Sequence, residues 1–413
     1  MIVFLVRLLR ENMGFKVPMV FGYTSTRMML AAVTSLLISI FLGPRFIKKL
    51  YQLKIGQPIR QEECPRLGEL HAWKKNTPTM GGVLILFAML VAMFFWMDVT
   101  NIFTLILFVT TVFLGFLGGC DDWMKLKNQS SKGLSGKKKM MAQVFLASVI
   151  ALYLLSPAVA RWMQTGGWYQ PPIVREERAK NATSAYPFPY QATTRDQTIS
   201  LTNFASRIYL PFYKEPLIKF SGAFVLLGFL FIVFVITGSS NAVNLTDGLD
   251  GLAVGCLILV ATCLAIIAFL SNNSEIARYL NILYIENSGE IAVYLSAFVG
   301  ACLGFLWYNG HPAEIIMGDT GSLALGGIIG VSAVLLKREL LLAIVGGIFV
   351  AEALSVIVQV GSYKLRNKKR VFLCAPLHHH FEYKGWPETK VVIRFWIIGL
   401  LLAIIGMASL KFQ

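Results

Sequence analysis

The feature that most restricts this chain is the recurrence of apolar runs close to a bilayer's width, at 26–47, 80–97, 102–119, 141–158, 217–238, 249–270, 290–308, 322–336, 339–361 and 392–410. About 20 apolar residues wound as an α-helix cross a hydrocarbon layer of about 30 Å, and a helix satisfies its own backbone there. Ten runs therefore predict an all-α integral membrane protein of about ten transmembrane helices. Composition agrees, since 56% of the 413 residues are hydrophobic and only 15% are charged, too few to coat a soluble globule. All the spans belong to one domain, residues 1–413. The run 322–336 is short, and only Lys337 and Arg338 separate it from the next run; those two helices should form a tight hairpin. Residues 1–22 mix apolar positions with Arg7, Arg10, Glu11 and Lys16 and read as an interfacial helix, without the cleavage site of a signal peptide.

A net charge of +16 would suit nucleic acid if it were spread over a soluble face. It is not. The basic residues gather in three loops, 48–79, 120–140 and 362–391. With ten spans these loops share one side, and the positive-inside bias makes that side cytoplasmic. Both termini and the long loop 159–216 then lie outside. In that outer loop Ile208 to Phe212 reads as a short strand or a membrane-edge segment. Six cysteines without C-x-x-C spacing give no disulfide framework.

Polar chemistry follows the same asymmetry: all five histidines (His71, His311, His378, His379 and His380) fall in the cytoplasmic loops. The outer turns between spans two and three and between spans eight and nine carry almost none. Span three ends in Asp121-Asp122, two carboxylates facing the negative end of a helix dipole; they are either a solvated end balanced by Lys125 and Lys127 or a site for a hard cation or a proton. From Asn241 polar residues recur every third position, through Asn244 and Asp247 to Asp250. Helix capping explains the two aspartates but not the two asparagines. Asp319 stands between Gly318 and Thr320-Gly321, where flanking glycines let the backbone approach a phosphate closely. His378, His379 and His380 are adjacent, so they cannot converge on one metal from a helix, and phosphate contact is favoured over zinc. Glu352, inside span nine, is costly in lipid and so is a functional or inter-helix residue. The run Gly133 to Lys137 lacks the spacing of a phosphate loop, so no ATP-driven motor is indicated.

Taken in order, the motifs His71 to Gly82, Gly119 to Asp122, Asn241 to Ala253, Met317 to Leu323 and Pro376 to Glu382 closely resemble those of phospho-N-acetylmuramoyl-pentapeptide transferases. These belong to the polyprenyl-phosphate hexosamine-1-phosphate transferases, and the histidine triplet beside Phe381-Glu382 points to the muramyl branch. The likeness runs from near residue 20 to the C-terminus and weakens between 160 and 206, where the outer loop is enlarged.

The resemblance implies a bacterial inner-membrane enzyme with a cytoplasmic site, working in peptidoglycan synthesis and through it in cell-wall biogenesis, shape and division. Its reaction would join UDP-MurNAc-pentapeptide to undecaprenyl phosphate with Mg²⁺ as cofactor. Beyond these partners it implies membrane lipid and a second copy of the chain, but no nucleic acid. Residue by residue, Asp319 would bind Mg²⁺, and Asp121 and Asp122 would activate or hold the lipid phosphate, with His378 completing the catalytic set. Asn241, Asn244, Asp247 and Asp250 would hold the nucleotide and diphosphate. Lys74, Thr79, Lys125 and Lys137 would supply cationic and hydroxyl contacts, and Gly318, Gln359, His379 and His380 would join the substrate-binding set. Ile316 departs from the family, which often has an aromatic residue there. Two rivals stay open: an N-acetylglucosamine-1-phosphate transferase, and a transporter, whose charges would line the bilayer midplane.

Overall fold

A computed structural model describes residues 19–53, 77–128, 133–178 and 195–411. Each apolar run winds into a helix there. The long helices are α1 (Thr24–Gln52), α2 (Gly82–Trp96), α3 (Ile102–Lys127), α4 (Gly136–Leu155), α7 (Val225–Thr246), α8 (Leu252–Ser271), α10 (Gly289–Asn309), α11 (Gly318–Leu335), α13 (Gly347–Leu365) and α15 (Glu388–Ala408). Short ones, α5 (Pro157–Met163), α6 (Leu201–Ala205), α9 (Ser274–Tyr279), α12 (Glu339–Val345) and α14 (Leu377–Tyr383), lie between them. Among the described residues nine helices are long and apolar enough to cross a membrane. The tenth expected span is α2, whose 15 residues reach roughly 22 Å. Of the interfacial helix expected over 1–22, only a 3₁₀ turn at Met19–Gly22 falls within the described residues.

Successive helices reverse direction, so the bundle has two ends. At one end α3 and α7 finish beside the starts of α4 and α11; we call this the site end. At the far end α1 begins and α15 finishes. The innermost helix is α11, with every residue from Thr320 to Leu335 buried. It packs against α3 and α7, and its small residues permit the close approach: a Cβ on Gly326 would lie only 2.7 Å from Ser239 O. The ninth apolar run is not one helix. It breaks at Gly346 into α12 and α13, which opens a groove against α7.

The bundle is helical as expected, and short β-strands are added at its far end. There β1 (Val174–Arg178), β2 (Arg195–Ile199) and β5 (Tyr284–Ile285) form an antiparallel sheet in the order β2-β1-β5, with Val174 opposite both Ile199 and Ile285. A second ribbon pairs β3 (Arg207–Tyr209) with β4 (Pro216–Lys219), so the start of the Ile208 segment is a strand. Backbone past the helix ends is free to pair between strands, and among the described residues both sheets sit at this end.

The far-end turns also carry more chemistry than expected. Lys337 turns the hairpin at φ +55°, and Lys337, Arg338 and Glu339 are all buried. Between the starts of α1 and α10, Arg27 Nη1 meets Glu290 Oε1 at 2.6 Å, and Glu290 Oε2 accepts from Asp98 N at 2.9 Å. These charges are paired across helices, which hydropathy along one strand of sequence cannot reveal.

Candidate active site

Helix α3 does not end where its apolar run does. It continues to Lys127, so Asp121 and Asp122 stand on its last two turns and face inward, both buried. Asp122 caps the start of α11 from outside that helix: its Oδ2 accepts from Thr320 N at 2.8 Å and Thr320 Oγ1 at 2.7 Å, and its Oδ1 accepts from Asp319 N at 3.1 Å. The approach requires glycine at position 318, which takes φ +75° and where a Cβ would lie 2.7 Å from Asp122 Oδ2 and 2.9 Å from Thr79 Oγ1. Thr79 is buried on this wall.

That cap turns the Asp319 side chain toward Asp121. Oxygens of Asp121, Asp122 and Asp319 lie within 4.8 Å of one another. Two ammonium groups stand between them. Lys125 Nζ is 2.7 Å from Asp121 Oδ2 and 3.0 Å from Asp319 Oδ2; Lys139 Nζ is 2.9 Å and 2.7 Å from the same atoms. Despite these ionic contacts, Asp121 Oδ2 is buried without an aligned hydrogen bond, whereas Oδ1 accepts from Leu134 N at 2.6 Å. Two cations against three carboxylates leave one negative charge over. The Asp319 side chain is 15% exposed and Asp121 0%, so the cluster opens outward through Asp319 and the lysines.

Helix α7 supplies the neutral side. It runs through to Thr246, so the asparagines lie on its final turns. Asn244 Nδ2 donates to Asp319 Oδ1 at 2.9 Å and to Ser322 Oγ at 2.8 Å. Asn241 is one layer back, donating to Gln143 Oε1 of α4 at 2.6 Å. Asp247 caps the helix end, partly buried. Asp250 belongs to a second cluster: its Oδ2 meets His311 Nδ1 and Ala313 N, each at 3.1 Å, and its own N–H donates to Glu388 Oε1 at 2.7 Å.

The histidines form a third group on helix α14, where their rings turn to different partners. His378 is wholly buried, with Nδ1 3.1 Å from Glu352 Oε2 and its N–H donating to Glu352 Oε1 at 3.1 Å; its ring abuts Gly248. His379 pairs with Glu382 at 2.7 Å. His380 Nδ1 accepts from Leu373 N at 3.1 Å. Burial and then the charge of Lys384 hold the His380 imidazole below its usual range. Gln359 is a loop anchor, accepting from Val371 N and Phe372 N and donating to Phe372 O. Lys74 and His71 lie outside the described residues. Lys137 is exposed; the lysines brought to the carboxylates are Lys125, as expected, and Lys139, missed in the sequence. Helical phase was the available signal, since Lys139 shares a face with Gln143 and Lys137 does not.

Comparison with known proteins bears on what this arrangement is for. Residues 192–337, covering α7 to α11, match the model of glycosyl transferase family 4, and residues 74–86 match phospho-N-acetylmuramoyl-pentapeptide-transferase signature 1. A phospho-N-acetylmuramoyl-pentapeptide-transferase of Protochlamydia amoebophila (strain UWE25) is 64% identical over 414 residues, covering 100% of both chains. The chain belongs to the phospho-N-acetylmuramoyl-pentapeptide-transferase family. Members from Brachyspira hyodysenteriae and Thermodesulfovibrio yellowstonii are each 42% identical, over 98% and 95% of both chains. Within the phospho-N-acetylmuramoyl-pentapeptide-transferase family, then, this is a multi-pass membrane transferase, and the transporter reading falls. Signature 1 covers Thr79 and the Gly81-Gly82 pair, whose N–H groups donate to Ile316 O and Met317 O and so dock the start of α2 beside Gly318.

Proposed function

We propose that the chain transfers phospho-MurNAc-pentapeptide from UDP-MurNAc-pentapeptide to undecaprenyl phosphate, giving undecaprenyl-diphospho-MurNAc-pentapeptide and UMP at the cytoplasmic face of the inner membrane. One observation carries the reading: an oxygen-rich anionic cluster opens beside an apolar groove that could take a polyprenyl chain. The groove, about 1020 Å³, runs between α7 and α12–α13, from Asn241 near the carboxylates to Glu339 near the far end. Phe234, Leu342, Phe349 and Ile357 line it, a surface that accepts hydrocarbon and offers little to a sugar.

The cluster fits Mg²⁺. Its donors are carboxylate oxygens, the preferred ligands of that ion, and Asp121 Oδ2 is buried without an aligned hydrogen bond. Asp319 and Asp121 would hold the ion, which would supply charge neutralisation at the diphosphate. Asp122 orients Asp319 through the start of α11. Asn244 fixes one Asp319 oxygen and leaves the other to Lys125 and Lys139. Lys125 and Lys139 can swing from their carboxylates to anionic phosphates, lowering repulsion as the two substrates meet. In the reaction an oxygen of the lipid phosphate forms a new P–O bond to the sugar-linked phosphorus, and the bond to UMP breaks. One phosphoanhydride replaces another, so no separate energy source is needed. Positioning and electrostatics then account for most of the rate.

The test is direct. Membranes containing the chain are supplied with radiolabelled UDP-MurNAc-pentapeptide and undecaprenyl phosphate, with and without EDTA. A lipid-soluble labelled product that EDTA abolishes and Mg²⁺ restores is expected. Equal rates with UDP-N-acetylglucosamine would transfer the case to the N-acetylglucosamine rival. A reporter after Lys138 should read cytoplasmic and one near Thr193 external; the reverse would separate the site from cytosolic nucleotide sugar.

A further inference from the structure

We propose that the far end of the bundle carries a binding site for a phosphate-class oxyanion, centred on Arg338 and completed by Arg278, Lys214 and the Tyr209 hydroxyl. It is distinct from the carboxylate cluster. Helix α11 separates them, with Asp319 on its first turn and Arg338 just past its last, roughly 27 Å for 18 residues.

Arg338 is the anomaly that points to a ligand. It is 7% exposed, yet its guanidinium has no hydrogen-bond partner among the described residues and instead lines a small cavity. Its neighbours show what a satisfied buried cation looks like here. Lys337 Nζ reaches Glu339 Oε1 at 2.5 Å and Ala205 O at 3.1 Å. Arg207 reaches Glu176 at 2.9 Å, Asn203 at 3.2 Å and Tyr209 Oη at 3.2 Å. Of the acidic residues nearby, Glu176, the carboxylate lining the cavity, pairs with Arg207, and Glu339 gives Oε1 to Lys337 while its Oε2 is buried without a hydrogen bond and does not line the cavity. Burial draws the Arg338 guanidinium down to about 10 against the opposing pull of Tyr209 and Glu339, so it stays cationic at neutral pH.

The lining matches an oxyanion in charge and in donors. Arg278 and Lys214 add two cations at the mouth, both exposed. Tyr209 accepts from Arg207 through its oxygen, which leaves the hydroxyl hydrogen for the cavity. A guanidinium presents a planar fork that takes two oxygens of one phosphate, and a desolvated fork does so more strongly than an exposed one. Beyond Arg278 lies a second cavity, which shares Ala277, Arg278 and Ile282 with the first and is bordered by Arg175, Glu275 and Tyr284. Two sources present this chemistry at a membrane surface: the headgroup of an anionic phospholipid and free inorganic phosphate.

The purified full chain in neutral detergent distinguishes them. Its melting temperature is followed against dioleoylphosphatidylglycerol, with dioleoylglycerol as the phosphate-free control, and against inorganic phosphate, with chloride at matched ionic strength. The expected result is saturable stabilisation by at least one phosphate probe over its control, with half-saturation weakened roughly tenfold or more in Arg338→Met. Stabilisation by the lipid alone assigns a headgroup; stabilisation by phosphate as well assigns an open anion site. Should Arg338→Met not fold, Arg278→Gln and Lys214→Gln, at exposed positions, should each weaken binding about threefold. No stabilisation by either probe, or unchanged half-saturation in the variants that fold, overturns the proposal.

Discussion

Asp122 holds Thr320 by both its backbone amide and its hydroxyl, at 2.8 Å and 2.7 Å, and so joins the end of one helix to the start of another. The two adjacent aspartates therefore divide their work. Asp122 spends its lone pairs on the architecture, while Asp121 and Asp319 keep oxygens turned to the lysines. A tandem of identical residues thus contains one group that docks a helix and one that faces the lysines, and helical phase sorts them.

Substitution should separate the roles. Asp319→Asn and Asp121→Asn keep size but lose charge, and each should lower turnover by roughly 100-fold or more with little change in melting temperature. Asp122→Ala should lower turnover and also cost about 1–2 kcal/mol of stability, because it strips a cap from α11. Denaturant or thermal unfolding beside the radiolabel assay checks this. Full stability in Asp122→Ala would refute the division.

Lys139 offers a second test. Lys139→Met removes one of the two cations facing three carboxylates, which should tighten Mg²⁺ binding while lowering kcat about tenfold or more. Titrating Mg²⁺ against turnover reads both effects. An unchanged half-saturating Mg²⁺ concentration would show that the lysine does not share the carboxylates' field.

Much of this was legible in the sequence because membrane insertion is a one-dimensional constraint: an apolar run of sufficient length must be a helix wherever it packs. The boundaries were not legible. The apolar runs ending near 119 and 238 stop where polar residues begin, but the helices continue to Lys127 and Thr246, with Asp121, Asp122, Ser240 and Thr246 turned into the bundle interior. Lys137, Lys138 and Lys139 are identical as letters, and only the helix chooses Lys139. The break at Gly346 sits inside a uniform apolar run, so nothing in hydropathy marked the groove it opens. Pairings such as Arg27 with Glu290 join residues far apart in the chain, and one sequence carries no record of them.

The groove should report on the lipid substrate alone. Ala353 lines it on α13, and Ala353→Trp would fill space that hydrocarbon needs. The expected result is a KM for undecaprenyl phosphate raised about tenfold with the KM for the nucleotide sugar unchanged. Equal changes in both constants would detach the groove from the acceptor.

The loop around His380 should respond to pH. Its imidazole titrates below its usual range because burial and Lys384 disfavour the cation, and as the neutral form it accepts from Leu373 N. A base whose folded pKa is depressed binds fewer protons folded than unfolded. Its contribution is therefore present above the unfolded pKa and is lost as pH falls through the folded one. Amide exchange at 371–374 should accelerate as pH falls through and below the ordinary imidazole range, after correction for intrinsic rates. His380→Phe should abolish that pH dependence; its persistence would place the titrating group elsewhere.

His378 poses the sharpest question, because the sequence resemblance casts it as catalytic while the fold buries it against Glu352. A wholly buried ring 3.1 Å from a carboxylate of the broken ninth span is placed to fix α14 against α13. Turnover loss in His378→Ala should then come with lost stability, since the substitution leaves a cavity and a carboxylate without its ring partner, worth about 1–3 kcal/mol. Removing both residues in a double-mutant cycle with Glu352→Ala should cost less than the sum of the single substitutions, because neither polar group is left stranded. Melting temperatures of the four proteins measure the coupling. Strict additivity, with His378→Ala as stable as the parent and inactive, would instead return His378 to the reaction itself.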